Sequence, residues 1–220
     1  MGGPATAFGP NNPGTTDPKI LVIGLNRCGT HSLHKLFLGS NIPSLHWKRH
    51  DDNRNLARAM VNNMALGLPP LAGFDGVRAF SDLNFLGGQI VIEGARFFRE
   101  LHAAYPDAYF ILNTRPVDDW ITSRLAHSKG DFARTMAKIG GMSLDEVVAH
   151  WRALFLRHDA EVTAYFGDNP SFLRFDITRD DPQSIADLLA PDFKVDPSLW
   201  GQHGLGHGPD VAARVLAGEA

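Results

Sequence analysis

The sequence of 220 residues lacks several features that mark specialised classes of protein. Its only cysteine is Cys28, which excludes an intrachain disulfide and any cysteine-rich zinc or iron–sulfur site. A chain without disulfides fits a reducing compartment, so we expect a cytoplasmic protein. No run of 18 apolar residues is present, and the first residues show no basic segment followed by an apolar one. We therefore expect neither a membrane span nor a secretory signal.

A basic excess is also missing, and the charge that is present is unevenly distributed. The 21 Lys and Arg residues face 24 Asp and Glu residues, which gives a net charge of −3 and an isoelectric point near 6.3. We therefore expect no nucleic-acid partner. Residues 18–50 contain no acidic residue, although they carry five Lys or Arg residues and four His residues. This local balance favours a site for an anionic ligand.

Composition divides the chain into three parts. The chain is 44% hydrophobic and 20% charged, which is ordinary for a globular protein with one domain. Residues 1–18 are rich in Gly, Pro, Asn and Thr and predict a flexible N-terminal arm. Residues 19–195 predict an α/β domain, and the Gly- and Pro-rich residues 196–220 predict a segment that caps it. The sequence leaves the oligomeric state open.

Short apolar segments alternate with amphipathic ones along the predicted domain. The runs KILVIG (19–24) and AYFILNT (108–114) are almost wholly apolar and predict buried strands of a parallel sheet. Further strands are predicted at 43–46, 77–80 and 171–175. Helices are predicted at 29–37, from Asp51 or Asp52 to 66, at 92–104, 116–127, 144–166, 182–189 and 211–216. This alternation predicts a three-layer αβα fold with a central parallel sheet of about five strands.

A glycine-bounded loop, GLNRCGTHS (24–32), follows the first predicted strand and leads into a helix. The amides of such a loop and the positive end of the helix dipole bind phosphate groups. Gly24 and Gly29 have the spacing of the P-loop (Walker A) motif, but Thr30-His31 stands where that motif has Lys-Ser or Lys-Thr. The cation of this loop is Arg27 instead. We expect a phosphate-type ligand without magnesium chemistry; a P-loop kinase or NTPase is the alternative.

The second strongly predicted strand ends in a cation. In P-loop nucleoside triphosphatases a strand of this kind ends in an Asp that binds magnesium, whereas here Arg115-Pro116 follows the strand. Ligands bind at the carboxyl ends of the strands in an α/β sheet, and arginine grips a phosphate with two hydrogen bonds. Ser123 follows about two helical turns later and offers a hydroxyl to the same anion.

Together the two motifs resemble those of the sulfotransferases that use 3′-phosphoadenosine 5′-phosphosulfate (PAPS). The segment RCGTHSL (27–33) is similar to the family's 5′-phosphosulfate loop, and the strand followed by Arg115 and Ser123 is similar to its 3′-phosphate element. The resemblance covers about residues 19–176. It implies in-line transfer of a sulfuryl group to a hydroxyl or amine of a small-molecule acceptor, with adenosine 3′,5′-bisphosphate (PAP) as the product and no metal.

The resemblance also implies a role for each motif residue. Arg27 would hold the 5′-phosphosulfate and stabilise charge on the leaving oxygen, and Arg115 with Ser123 would hold the 3′-phosphate. The other groups around the phosphosulfate would come from Cys28, Gly29, Thr30, His31 and Ser32. Some members have a Trp that stacks on adenine where this chain has Ser32, so the possible substitutes are Trp47, Trp120 and Trp200.

The acceptor must lose a proton as it attacks, and three residues are candidates for the base. In related families a carboxylate or a His at the end of the second strand takes this role, and His46 occupies that position. Asp82, which ends the third predicted strand, is the second candidate; alternatively it orients His46, binds the acceptor or caps a helix. Glu93, at a predicted helix start, is the third. A relative that binds PAP without catalysis is a further alternative.

Three further expectations concern Cys28, a pair of His residues and the acceptor pocket. Cys28 lies beside a cation and a helix start, so its thiol is expected to have a lowered pKa, although direct transfer does not require a thiol. His203 and His207 are four residues apart, but two His residues without a third ligand do not define a zinc site. The acceptor pocket is expected to be shaped by residues 51–66, 67–76 and 129–141.

Overall fold

The computed structural model describes residues 18–201, residue 203 and residues 208–218. The predicted N-terminal arm, residues 1–18, lies outside the described residues except for Pro18. The C-terminal segment is described only in part, so its separation from the domain stays a prediction. Among the described residues, no helix is both long enough and apolar enough to cross a membrane.

Five parallel strands form the central sheet. The strands of the described chain are β1 (Ile20–Val22), β2 (Ser44–His46), β3 (Ala79–Ser81), β4 (Asn84–Gly87), β5 (Ile90–Glu93), β6 (Tyr109–Thr114) and β7 (Phe172–Asp176). Their order in the sheet is β2-β3-β1-β6-β7, and each neighbouring pair is parallel. All residues of β1 and β6 are buried, as expected for strands covered on both faces. The predicted α/β architecture is confirmed.

Helices cover both faces of this sheet. They are α1 (Thr30–Gly39), α2 (Leu56–Ala65), α3 (Phe98–Ala104), α4 (Val117–Leu125), α5 (Asp131–Gly140), α6 (Leu144–Phe166), α7 (Gln183–Leu189) and α8 (Pro209–Leu216). Leu21 of β1 packs into a core with α2, α3 and α6, whereas Ile20 and Val22 pack into a second core with α1 and α7. This division follows from the alternation of side chains along a strand. A third core joins α4, α5, α6 and α8 to Leu25 and Cys28 of the loop after β1.

A β-hairpin replaces the first part of the helix predicted at 92–104. β4 and β5 pair antiparallel, from Asn84 opposite Glu93 to Gly87 opposite Ile90. The sequence of β5, IVIE, is rich in β-branched residues, which favour a strand over a helix. A 3₁₀ turn at Gly94–Phe97 then leads into α3. The helix prediction is therefore wrong for Ile92 and Glu93, the predicted helix begins with this 3₁₀ turn, and the hairpin was not predicted.

The start of α2 also differs from the prediction. Its N-cap is Asn55, whose side-chain oxygen accepts a hydrogen bond of 3.0 Å from the amide of Arg58. Asp51 and Asp52 pair with Arg49 instead, and the backbone amides that donate to their carboxylates lie in the turn before α2. The long helix α6 does have its predicted bounds, because a capping box at Ser143 fixes its first turn.

Candidate active site

A cavity of about 840 Å³ lies at the carboxyl ends of the parallel strands. Residues that follow each of the five strands line it, so every strand of the sheet contributes to one site. This is the place where an open α/β sheet binds its ligands. Most residues predicted for the site line this cavity, namely Arg27, Gly29, Thr30, His31, Ser32, His46, Asp82, Arg115 and Ser123.

The loop after β1 is held in place by β6 and α4. Asn113 of β6 accepts a hydrogen bond from the amide of Gly24 at 2.9 Å and donates one to the carbonyl of Cys28 at 2.6 Å. The indole of Trp120 in α4 donates to the carbonyl of Asn26 at 2.8 Å. Gly24 is required here because a Cβ atom at this position would lie 2.0 Å from the carbonyl oxygen of Asn113. These contacts fix both ends and the middle of the loop.

Asn113 is a residue of this site that the sequence analysis missed. It is 1% exposed and lies in a strand whose other residues are mostly apolar. A buried polar side chain inside an apolar strand needs hydrogen-bond partners, and this requirement was the available signal. Its two partners are backbone groups of the loop, so its role is to support the residues that face the cavity.

Two arginines meet in the cavity beside a serine hydroxyl. The Nε atom of Arg27 donates to the Oγ atom of Ser123 at 3.2 Å, and an Nη atom of Arg115 lies 3.4 Å from the carbonyl oxygen of Arg27. Burial lowers the pKa of Arg27, Asp82 opposes this effect, and the charge of Arg115 adds to it. Among the described residues, the buried Nε atom of Arg115 has no hydrogen-bond partner. Two like charges held together with an unsatisfied donor form a site for an anion.

The helix α1 adds further donors to this anion site. Gly29 precedes it with φ at 75°, a left-handed conformation that glycine adopts without strain. The first amides of a helix have no partners within the helix and carry the positive end of its dipole. Those of α1 begin at Thr30, next to Arg27. The loop and the helix start therefore present positive charge to one cavity from several directions.

His46 and Asp82 lie together on the other side of the loop. The Nε2 atom of His46 is 3.2 Å from the hydroxyl of Thr30 and 3.5 Å from a carboxylate oxygen of Asp82. Burial lowers the pKa of His46 to about 3, and nearby His34, His31 and Arg27 add to this effect. The imidazole is therefore neutral near pH 7.

Asp82 shows the opposite shift. Burial raises its pKa to about 6, against the effect of the Arg27 charge and of a hydrogen bond from the amide of Asn84. That hydrogen bond joins Nδ2 of Asn84 to the carboxylate at 2.6 Å. Asp82 thus titrates close to neutrality, which is where a general base works best. The two leading candidates for the base are in contact with each other, so their roles must be separated by experiment.

Four non-glycine residues of the cavity have left-handed backbone conformations. One is Ser128, with φ at 52°, and the other three lie near the ends of strands. Arg27, Trp47 and Asp82 have φ values of 70°, 62° and 58°. They follow β1, β2 and β3, three neighbouring strands of the sheet. Such conformations cost about 1–3 kcal/mol each and collect at functional sites. The strained backbone is therefore concentrated at the cavity, where these strands end.

Comparison with known protein families assigns the chain to one of them. A family model described as a sulfotransferase domain matches residues 19–172, which is more than half of the chain. The chain belongs to the sulfotransferase domain family. Comparison with curated proteins gives no match. The matched residues contain the cavity loops after β1, β2, β3 and β6.

The remaining residues predicted for the site have varied surroundings. The ring of His31 lies among those of His34, His46 and His203, with centroid separations of 5.3 to 6.2 Å. The hydroxyl of Ser32 accepts a hydrogen bond of 3.0 Å from the amide of His203. His207, the second residue of the considered zinc pair, lies outside the described residues. Among the described residues, no group of three or more His, Cys, Asp or Glu residues is arranged to hold a metal ion.

Cys28 contradicts the expectation for its thiol. The residue is fully buried in the core beneath the loop and does not line the cavity. Burial raises the pKa of the thiol to about 12, although the charges of Arg115 and Arg124 oppose this shift. The predicted lowered pKa is therefore wrong, because the cost of desolvating a thiolate exceeds the attraction of the cations.

Glu93, the third candidate base, is bound elsewhere. It ends β5 and pairs with Arg124 of α4, whose side chain is fully buried. The rings of Trp120, Phe132 and Trp151 surround that guanidinium at 4.7 to 5.0 Å. Glu93 does not line the cavity, so it fastens the hairpin to α4 and is not available to an acceptor.

The three tryptophans considered for adenine stacking are also distinguished by the structure. Trp120 is fully buried and holds the loop. Trp200 packs edge-on against Phe175, with ring centroids 5.3 Å apart, and does not line the cavity. Trp47 alone among them lines the cavity, directly after His46. None of the three therefore combines access to the cavity with a position beside Arg115.

Proposed function

We propose that this protein transfers a sulfuryl group from PAPS to a hydroxyl or amine of a small-molecule acceptor. The observation that carries the proposal is the meeting of Arg27, Arg115 and Ser123 in one cavity at the ends of β1 and β6. PAPS has phosphate groups at both ends of its ribose, and this paired cationic site suits such a ligand. The proposed location is the cytoplasm, on the argument from the single cysteine.

The donor residues fit PAPS on the evidence of their unsatisfied groups. The buried Nε atom of Arg115 lacks a partner among the described residues, and a 3′-phosphate would supply one. Arg27 and the first amides of α1 would hold the 5′-phosphosulfate, with hydroxyls from Thr30 and Ser32 in the same cavity. When bound, PAPS supplies a sulfuryl group on a phosphate that can leave. Arg27 would stabilise the negative charge that develops on the leaving oxygen.

The acceptor side would be served by His46 and Asp82. An acceptor hydroxyl held against this pair would pass its proton to Asp82, whose carboxylate is ionised above about pH 6. Neutral His46 would orient that hydroxyl through Nε2, together with the Thr30 hydroxyl. General-base catalysis of this kind contributes a factor of about 10²–10⁴ to the rate. His46 acting as the base itself is the alternative that the pH profile described below separates.

Calorimetry with PAP tests the donor site directly. Replacing Arg115→Ala should weaken PAP binding by about 1.5–3 kcal/mol, because a charged hydrogen-bond partner of the phosphate is lost. Arg115→Lys keeps the positive charge but lacks the planar guanidinium, so it should lose less affinity for PAP than Arg115→Ala. Arg152→Ala is the matched control, because Arg152 pairs with Asp118 on the surface and does not line the cavity. Unchanged affinity in Arg115→Ala, or tight binding of ATP with magnesium in place of PAP, would contradict the proposal.

A further inference from the structure

Trp47 combines two properties that rarely occur together. It lines the cavity beside His46 and is 39% exposed, so its indole belongs to none of the three cores. Its φ value is 62°, and a left-handed conformation in a bulky aromatic residue is an outlier. A glycine or an asparagine would adopt this backbone at a lower cost. The ring at this position therefore needs an explanation other than folding.

The strained backbone of Trp47 is fixed by hydrogen bonds on both sides. Its amide donates to the carbonyl of Ser81 at 3.0 Å. Its carbonyl accepts from the amide of Leu56 at 2.9 Å and from the side chain of Asn55 at 3.0 Å. Strain persists only where the surroundings determine the conformation in this way. The backbone from which the indole projects is consequently fixed at the cavity wall.

The same hydrogen-bonded frame holds Asp82. The side-chain amide of Asn55 also donates to the carbonyl of Asn84 at 3.1 Å, and the side chain of Asn84 donates to the Asp82 carboxylate at 2.6 Å. Asn55 is buried, with 8% of its surface exposed. One buried residue thus sets the position of the indole relative to the carboxylate. An acceptor that packs against Trp47 would be placed relative to Asp82 as well.

The sheet order assigns Trp47 to the acceptor side of the site. The arginines of the anion site follow β1 and β6, whereas His46 ends β2 and Trp47 follows it. β2 is an edge strand, and β3 separates it from β1. Trp47 therefore lies three strands away from Arg115, at the side of the site that carries His46 and Asp82. This position suits a ring of the acceptor and does not suit the adenine of the donor.

The surroundings of the indole favour a flat, electron-rich partner. The ammonium of Lys48, which does not line the cavity, lies 4.8 Å from the centroid of the Trp47 ring. Leu86 of the hairpin and Phe132 of α5 add apolar surface to the same cavity. Aromatic rings that pack against each other gain stability beyond the apolar area they bury.

We propose that Trp47 selects the acceptor, and that the acceptor is an aromatic alcohol whose ring packs against the indole while its hydroxyl contacts Asp82 and His46. This inference rests on the proposed function. The acidity of the acceptor agrees with it, because a phenolic hydroxyl, with a pKa near ~10 like that of tyrosine, gives up its proton far more readily than an aliphatic one. A carboxylate with a pKa of about 6, such as that of Asp82, takes a proton from a phenolic hydroxyl at a lower cost than from an aliphatic one.

The test compares matched acceptors on matched variants. The acceptors are 2-naphthol and its saturated counterpart decahydro-2-naphthol, used with PAPS in turnover assays and with PAP in calorimetric titrations. The variants are Trp47→Phe, which keeps a flat ring, and Trp47→Asn, which accepts the left-handed backbone but removes the ring. In the titrations with PAP we expect the wild type and Trp47→Phe to bind 2-naphthol about 10-fold more tightly than the saturated alcohol, and Trp47→Asn to lose this preference. In the turnover assays we expect Trp47→Asn to have a raised KM for 2-naphthol.

The remaining readouts separate this role from a structural one. PAP affinity should change by less than about two-fold in Trp47→Asn, and its melting temperature should not fall, because asparagine tolerates the backbone conformation. A lower melting temperature with an unchanged preference for 2-naphthol would overturn the inference, as would equal binding of both alcohols by the wild type. Absence of PAP binding would contradict the proposed function instead. The calorimetric comparison of the two alcohols needs no turnover, so it tests Trp47 in either case.

Discussion

At the scale of single residues, Asp82 shows how burial adjusts an ordinary carboxyl group to a chemical task. Its pKa is raised to about 6, while that of the neighbouring His46 is lowered to about 3. Both shifts have the same main cause, because burial disfavours whichever form of a group is charged. The carboxylate therefore titrates in the range where enzymes work, and the imidazole does not.

The first prediction concerns the pH profile of sulfuryl transfer. If Asp82 is the base, kcat/KM should rise with pH through about 6 and become level above it, because only the ionised carboxylate accepts a proton. Asp82→Asn should remove this limb and lower the rate by about 10²–10⁴-fold. His46→Ala should lower the rate but keep the limb. A limb that persists in Asp82→Asn would show that another group is the base.

The second prediction concerns stability and has an unusual sign. Because the pKa of Asp82 is raised in the folded state from its ordinary value of 3.8, the contribution of this carboxyl group to stability falls as the pH rises from about 4 to about 6. Asp82→Asn removes this loss and should raise the free energy of unfolding by up to about 3 kcal/mol at pH 8. Urea denaturation at pH 8 and at pH 4 measures the effect. At pH 4 the gain should be nearly absent, and a loss of stability at pH 8 would contradict the argument.

At the scale of secondary-structure elements, β6 and α4 act as the support of the phosphate loop. Asn113 of β6 satisfies the amide of Gly24 and the carbonyl of Cys28, and Trp120 of α4 satisfies the carbonyl of Asn26. Both supporting residues are buried, so their own polar atoms depend on the loop in return. The loop and the segment that carries Arg115 are thus a single unit, although they are far apart in the sequence.

The third prediction tests this support. Asn113→Ala leaves two buried backbone groups of the loop without partners, and each such group costs about 1–3 kcal/mol. We expect the free energy of unfolding to fall by about 2–4 kcal/mol and PAP affinity to fall with it, as measured by urea denaturation and calorimetry. Asn113→Asp keeps an acceptor for the amide of Gly24 but places an oxygen against the carbonyl of Cys28. Its stability and PAP affinity should therefore be no higher than those of Asn113→Ala. A stable Asn113→Ala variant with full PAP affinity would show that the loop keeps its conformation without Asn113.

At the scale of the whole molecule, the cations of the site are gathered from distant parts of the chain although the net charge is −3. The loop with Arg27 and the segment with Arg115 and Ser123 meet only in the folded protein. A ligand bound by these groups therefore binds the folded state and not the unfolded one. Such a ligand stabilises the fold by mass action.

The fourth prediction follows from this linkage. PAP at about 100 times its dissociation constant should add about 2.7 kcal/mol to the free energy of unfolding. For a chain of this length the corresponding rise in melting temperature is about 5–10 °C, measured by thermal shift. ATP with magnesium at the same concentration should give a clearly smaller rise. The Arg115→Ala variant should lose most of the PAP effect, and an equal shift in both proteins would contradict the assignment of Arg115.

The sequence predicts the parts of this molecule that local patterns determine. Arg27, Arg115 and Ser123 stand at fixed distances from apolar strands, so their meeting in one cavity followed from their spacing. The strained conformation of Trp47 was not predictable, because it depends on a hydrogen bond to the carbonyl of Ser81 and on one from the side chain of Asn55. The thiol of Cys28 was predicted wrongly because a neighbouring cation is visible in the sequence and the depth of burial is not.

The order of strands in the sheet has a consequence for how the chain is synthesised. β1 is made first among the strands, yet Ile20 pairs with Ala79 of β3 and with Tyr109 of β6. At about 5–20 residues per second, an apolar segment that belongs in the centre of the sheet waits several seconds on the ribosome for its partners. The phosphate loop that follows it has no support until Asn113 and Trp120 have emerged. The nascent chain therefore carries the apolar β1 segment without its partner strands until β3 and β6 have been made, and its ligand site forms only after Ser123 has been translated.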